Sequence, residues 1–311
     1  MKKKKGFKFT KSDWQLTFIA LPTFIWFVVF SYLPMAGVLL AFKDFRNTPN
    51  GFIDSFLKSE WIGFENFKFL FNSDEATVAM VNTILYNIVF IILGIVIPVC
   101  LAILLNELLQ KLLGKIFQTI MFFPHFLSWV IISYILYIFL SGDKGYINSI
   151  LINLGKEPVN WYNEASKWPF IIIFMQQWKT MGYGAVVYLA SIAGIDRTYF
   201  EAALIDGSSK WQQIKYITLP LLKPIMTIMF IMAIGRIFNA DFGLFYQLPK
   251  DSGAIYSTTT VIDTYVYRAL IGMGDVGMSS AAALFQSTVG CITIVFANWV
   301  VRKIDNDNAM F

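Results

Sequence analysis

The stretch Ile84-Leu85-Tyr86-Asn87-Ile88-Val89-Phe90-Ile91-Ile92-Leu93-Gly94-Ile95-Val96-Ile97-Pro98-Val99-Cys100-Leu101-Ala102-Ile103-Leu104-Leu105 contains no charged residue, and its reading decides the fold. A helix needs roughly 20 mostly apolar residues to cross about 30 Å of hydrocarbon. This run is long enough, and it is one of about six, near 14–42, 77–106, 116–140, 169–194, 221–248 and 279–301. The rest of the composition agrees: 57% hydrophobic, 17% aromatic and 14% charged residues are too apolar for a 311-residue soluble core. The runs are continuous and lack the period of two that barrel strands need. The sequence therefore predicts an all-α, multi-pass transmembrane helical bundle forming a single domain over 1–311. Pro22, Pro34, Pro98 and Pro224 fall within or at the start of runs, where neighbouring helices can satisfy the freed carbonyls. Kinks are expected there, not breaks.

Orientation follows from basic residues. With the amino terminus inside, the inner segments hold 14 Lys and Arg and the longer outer segments 9. The positive-inside rule then puts both termini and the loop over 195–220 in the cytoplasm. The basic tail over 1–13 reads as a topology signal, not a nucleic-acid-binding arm, and the first apolar run is too long for the core of a cleaved signal peptide. Cys100 and Cys291 lie inside apolar runs and read as small buried hydrophobes, with no disulfide or metal framework behind them. Outside, Trp61 to Phe71 suits an interfacial helix, and the turn-rich Gly142 to Asn148 leads to a short helix over 149–154.

The inner loop is the most informative polar segment. Thr198-Tyr199-Phe200-Glu201 fits a capping box that starts a helix near Tyr199, Gly207 suits its left-handed end, and Ser209-Lys210-Trp211-Gln212 fits a second box. Ala202 and Ala203 allow close approach to another surface, and Tyr199, Phe200 and Leu204 offer apolar knobs for a groove. Leu219-Pro220 then marks entry to the next span. On local chemistry alone the segment is either a docking surface or a well-capped linker in which Glu201 serves the cap.

Glu201-Ala202-Ala203, Gly207 four residues on, and Ile217-x-Leu219-Pro220 resemble the EAA motif of bacterial binding-protein-dependent ABC importer permeases. Trp61 to Phe67, Gly145 to Asn148 and Tyr265 to Arg268 are similar to segments of the sugar-importer type, with the polysaccharide-importer subgroup and the maltose permeases nearest. The resemblance implies the type I permease fold and a coupling helix formed by Glu201, Ala202, Ala203, Leu204, Asp206, Gly207, Leu219 and Pro220. It implies partners: a second homologous permease, two cytoplasmic ATPase subunits and an extracellular solute-binding lipoprotein that delivers a sugar. It implies no catalytic residue and no cofactor on this chain, with ATP and Mg held by the ATPase. No phosphate-loop motif occurs here.

Polar residues within the spans are the candidate substrate pathway, because charges in the bilayer centre are costly and face cavities or partners. Gln176, Lys179 and Tyr183 share one face of the fourth span. Arg236, Asn239, Gly243 and Tyr246 form a stripe on the fifth, flanked by Phe238, Phe242 and Phe245. By resemblance, Trp178, Tyr183, Phe238, Asn239 and Asp241 stand where maltose-type permeases contact sugar, and Lys179 and Arg236 depart from that pattern toward an acidic or larger substrate. The alternative is a set of interhelical contacts. Gly272 to Gly277 fits G-x-G-x-x-G without the flanking strand of a dinucleotide site. His125 has no companion ligand and reads as packing, and no metal site is expected. A permease for another solute, or a self-sufficient secondary transporter, are the competing functions.

Overall fold

The computed structural model describes residues 10–108, 111–142 and 145–304. Most of the basic tail, Asp143, Lys144 and the last residues of the chain lie outside that range. Among the described residues four helices are long and apolar enough to cross a membrane: α1 (Lys11–Phe42), α2 (Asp74–Glu107), a later helix over Lys210–Ile234 and one over Val276–Lys303. Between α2 and the later pair come α3 (Leu112–Phe126) and α4 (Trp129–Leu140), bent by 100° from each other. Then follow α5 (Trp168–Ala193), α6 (Arg197–Ile205), α7 (Lys210–Ile234), α8 (Ile262–Met273) and α9 (Val276–Ile304).

Three of the six expected spans are altered. The run over 116–140 is two half-helices meeting nearly at a right angle, not one span. The run over 221–248 stops as a helix at Ile234, and the chain turns through 235–238 before a short π-helical segment, Gly243–Gln247. The fourth run forms a 26-residue helix, long enough to cross, but Gln176, Gln177 and Lys179 in its middle leave it less apolar than the other four. Its place is central. Trp168, Ile171, Ile172 and Met175 of α5 pack with Tyr86 of α2, Ile132 and Leu140 of α4, and Leu244, Phe245 and Leu248 beyond the α7 break. Nearer the other end, Tyr188 and Ile192 of α5 meet Val99 and Ala102 of α2 and Leu222 of α7.

None of these prolines breaks its helix: Pro22, Pro98 and Pro224 lie inside helices, and Pro34 follows a widened π turn over Val28–Tyr32. A proline removes one N–H and crowds the preceding turn, and such widening relieves both. The same device precedes Pro220: Ile214–Thr218 is π-helical, so Leu219-Pro220 does not start a new helix but lies inside the continuous α7. At the end where α2 begins, Lys43 and Asp44 pair antiparallel with Trp61 and Glu60. The segment 61–71 is therefore a strand residue, a turn at Gly63 (φ 62°) and two short helical pieces, not one interfacial helix. The short helix after Gly142 runs Tyr146–Asn153, with the buried Asn148 carboxamide donating to the Gly142 and Val159 carbonyls, both at 2.9 Å.

Close approach of α5 to α3 depends on Gly182, where a Cβ would lie 1.9 Å from the Met121 carbonyl oxygen. Backbone cannot rotate away as a side chain can, so Gly182→Ala is expected to cost about 1–3 kcal/mol by overpacking. Gly94→Ala, with nothing within 4 Å of the added methyl, is the control. Thermal unfolding in detergent should rank Gly182→Ala clearly below it.

Candidate functional site

Backbone groups in a bilayer have no water to bond, so a helix break at membrane depth must be satisfied by the protein. The first break, at Leu127 and Ser128, is served from both sides. The Ser128 hydroxyl accepts the Ile131 N–H (3.3 Å) and caps α4. On the other side the Lys179 ammonium, reaching across from α5, donates to the carbonyls of His125 (2.9 Å) and Leu127. A cation is what the carbonyl end of a helix favours. His125 stacks on Tyr183 of α5, with centroids 4.8 Å apart and planes at 14°, the packing role expected of it.

The second break follows α7. The Asn87 carboxamide of α2 donates to the carbonyls of Ile237 and Asn239, both at 2.9 Å. Gln286 of α9 donates to the Phe238 carbonyl at 2.7 Å. The Ala240 N–H donates to Asp263 of α8 at 2.8 Å. The break is close-packed where Gly235 meets α9, since a Cβ on Gly290 would lie 2.6 Å from the Gly235 carbonyl oxygen. The two breaks meet through one bond: the Trp129 indole N–H donates to Asp241 Oδ2 at 2.7 Å.

The proposed pathway residues separate accordingly. Tyr183, Arg236, Asn239 and Asp241 are exposed on the isolated chain. Phe242 is half-buried, stacked with Tyr246 (4.9 Å) and edge-on to Tyr267 (4.7 Å). Phe238 is half-buried against Phe285. Trp178 packs against the central core, and Lys179 is occupied as a cap. Gln176 has its carboxamide oxygen buried without a hydrogen-bond partner. The stripe Arg236, Asn239, Gly243 and Tyr246 is not one helix face, because the helix ends before it, and Phe245 lies in the core. Sequence reasoning passed over Asn87, Trp129, Asp263 and Gln286. Asn87 and Gln286 carried a usable signal, since each is a polar residue within an apolar run.

The polar loop forms a second surface. Its first helix is capped by Asp196, not Thr198: the Thr198 N–H donates to Asp196 Oδ1 at 2.9 Å and holds that carboxyl below its usual range. Thr198 lies inside the first turn, so the predicted Thr198–Glu201 box does not form, and the exposed Glu201 carboxylate has no hydrogen bond or ion pair among the described residues. At the other end the Ser208 N–H donates to the Ala203 carbonyl (2.9 Å) and the Gly207 N–H to Leu204 (3.1 Å), with Gly207 at φ 77°. That is the Schellman closure expected of a glycine here. The Ser209–Gln212 box forms as predicted, with the Ser209 N–H on Gln212 Oε1 at 2.7 Å. Lys210 reaches Glu107 at the end of α2 (3.1 Å), closing one side of a groove of about 570 Å³ that Arg197 and Phe200 also line. Tyr199, Leu204, Ile205 and Trp211 are 57–86% exposed. Ala203, Asp206 and Gly207 lie on the same loop, while Leu219 and Pro220 lie about two and a half turns inside α7.

Residues 91–306 match the family model described as binding-protein-dependent transport system inner membrane component. The chain belongs to that family. This inner membrane component is 33% identical over 297 residues to protein LplB of Bacillus subtilis, covering 96% of this chain and 91% of LplB. It is 31% identical to the polygalacturonan/rhamnogalacturonan transport system permease protein YteP of Bacillus subtilis, covering 94% and 89%. Its fold superposes with a TM-score of 0.85 on a chain of a bacterial ABC transporter involved in import of the acidic polysaccharide alginate, at 33% identity over 95% of this chain and 97% of that one.

Asn87→Leu orphans two carbonyls at the second break. Leaving buried acceptors unpaired costs about 1–3 kcal/mol, so the melting temperature in detergent should fall well below that of Asn72→Leu, whose side chain is exposed.

Proposed function

We propose that this permease subunit carries an acidic oligosaccharide into the cytoplasm by alternating access, driven by ATP hydrolysis on separate subunits. The observation that carries the reading is the meeting of two helix breaks inside the bundle, beside which Tyr183, Arg236 and Asn239 are exposed and Phe242 adds an aromatic face. Aromatic faces stack on sugar rings, and amides and charges bond hydroxyls and carboxylates, the usual mixture of a polar small-ligand site. Arg236 sits in the break with its guanidinium in no ion pair or hydrogen bond among the described residues, whereas Lys179 is spent on backbone. Arg236 is therefore the cation assigned to a substrate carboxylate. The alginate transporter and the polygalacturonan/rhamnogalacturonan permease support a polysaccharide-derived cargo.

The partners belong to the same proposal. Two ATPase subunits, holding ATP and Mg, dock on the exposed apolar face of the Glu201 loop, which the basic-residue bias assigns to the cytoplasm together with both termini. Exposed apolar clusters of this kind mark interaction surfaces. A second permease completes the pathway and, with lipid, covers Lys11–Tyr32, where no side chain is buried in the isolated chain. A solute-binding protein delivers cargo to the opposite face. One of the alginate structures is a complex with its pentasaccharide-bound periplasmic protein, which supports this last assignment.

The test is a reconstituted complex supplied with receptor loaded with uronate or neutral oligosaccharides. Uronate-loaded receptor should stimulate ATP hydrolysis, and Arg236→Gln should raise KM about tenfold for the acidic cargo with little change in assembly, on the scale of one charge-assisted bond. Stimulation by neutral sugar alone would overturn the acidic assignment. Separately, Glu201→Ala should reduce co-purification of the ATPase in mild detergent while monomer stability changes little, and Gly207→Val, which puts a β-branched residue at φ 77°, should reduce it by straining the loop itself. Normal assembly and transport in both would remove the coupling role.

A further inference from the structure

Lys179 and Asp241 are both charged, both at membrane depth and both expected from sequence to face the cargo. Their actual bonds point elsewhere. An ammonium has three donors, and that of Lys179 gives two to the carbonyls of His125 and Leu127 while lying 5.3 Å from the centroid of the Trp129 ring. Both carboxylate oxygens of Asp241 are also engaged, Oδ2 by the Trp129 indole N–H at 2.7 Å and Oδ1 by the Leu244 N–H at 3.2 Å. The two charges form no direct ion pair within 4 Å among the described residues; they act through the indole between them. Its electron-rich face meets the cation and its electropositive N–H edge meets the anion, so each polarises it in the sense the other needs. The fit is tight on the far side: a Cβ on Gly243 would lie 2.4 Å from Trp129 Cδ1.

We infer that Lys179, Trp129 and Asp241 form a clasp that ties the two helix breaks together, and that Trp129 and Lys179 are positioning residues that couple the breaks, not contacts for the cargo. The clasp spans three elements: Lys179 stands on α5, Trp129 opens α4, and Asp241 begins the segment beyond α7. None of the three can shift by more than a hydrogen bond's tolerance without opening it. Alternating access in a packed bundle requires discrete rearrangement of such elements, and a clasp with one closed geometry makes the two breaks move as a unit. This inference rests on the ATP-driven permease reading above for its functional test, but the contact itself can be tested without it.

The functional test uses the whole complex in lipid, with both permeases, ATPase and loaded receptor. Trp129→Phe keeps an aromatic face toward Lys179 but removes the N–H together with the pyrrole ring that carries it. It should lower the ratio of receptor-stimulated to basal ATP hydrolysis about tenfold or more, the lower end of the scale of one lost charge-assisted bond, while KM for loaded receptor moves less than about twofold. Asp241→Leu should cause the same loss, and the double variant no further loss. Gly243→Ala, which wedges the indole away, should reproduce it and replaces Trp129→Phe if that complex fails to assemble. An unchanged ratio, losses that multiply in the double variant, or a KM that rises in step with the loss would overturn the clasp, the last by making these residues cargo contacts. The contact is also read from thermal unfolding of the isolated chain in detergent, where Trp129→Phe and Asp241→Leu should be non-additive. Additive losses there overturn the clasp whatever the transport result. A wild-type complex unresponsive to any loaded receptor, with non-additive unfolding, would instead count against the proposed function.

Discussion

Hydrocarbon offers no partner to an unpaired carbonyl or N–H, and the architecture of this permease depends on how that constraint is met at two places where membrane helices stop. A broken helix exposes up to four carbonyls on one side and four N–H groups on the other. Here they are bonded by side chains carried in from other helices: Lys179 at the first break, and Asn87, Gln286 and Asp263 at the second. Each of those donors or acceptors is itself expensive in a membrane, and each is neutralised by the break it serves. The polar interior of the bundle is thus in large part a set of reciprocal satisfactions, and the Arg236 guanidinium is among the side chains left over.

The loop over 196–213 solves the opposite problem. It stands in water, where helix ends need no burial, yet it is capped at every terminus by its own residues: Asp196, the Gly207 closure and the Ser209–Gln212 box. Local capping frees the rest of the loop from structural duty. The Glu201 carboxylate is unbonded and the large apolar side chains of Ile205 and Trp211 project outward. A segment this rigid, with its apolar face unspent, suits docking in which little conformational entropy is lost. The π turn over Ile214–Thr218 joins it without interruption to α7. The loop's second helix and the helix that ends at the second break are therefore one continuous element.

Much of this was legible in the sequence, and the failures have two causes. Apolar runs located every long helix, since length and transfer free energy are properties of a window of residues. Gly207 and the Ser209–Gln212 box were predicted correctly because caps are local chemistry, settled within three or four positions. The Thr198–Glu201 box failed on the same scale, because Asp196, two residues earlier, competes for the Thr198 N–H and bonds it. The breaks at Leu127 and Gly235 were invisible, because an apolar run reads the same whether its backbone is helical or not. Their stabilising partners are remote in sequence: Lys179 lies 54 residues from His125, and Asn87 lies 150 from Ile237.

By itself, then, the sequence determined that this chain lives in a membrane, roughly where its long helices lie, and that a capped polar loop projects between two late spans. Those properties follow from transfer energies and short-range hydrogen bonds, which neighbouring residues decide. Only the tertiary structure decided where the helices stop, which polar residues close the breaks and which remain open to a partner. A broken helix is tolerable in lipid only if distant side chains reach its unpaired groups, and that is a fact about packing, not about any one stretch of chain.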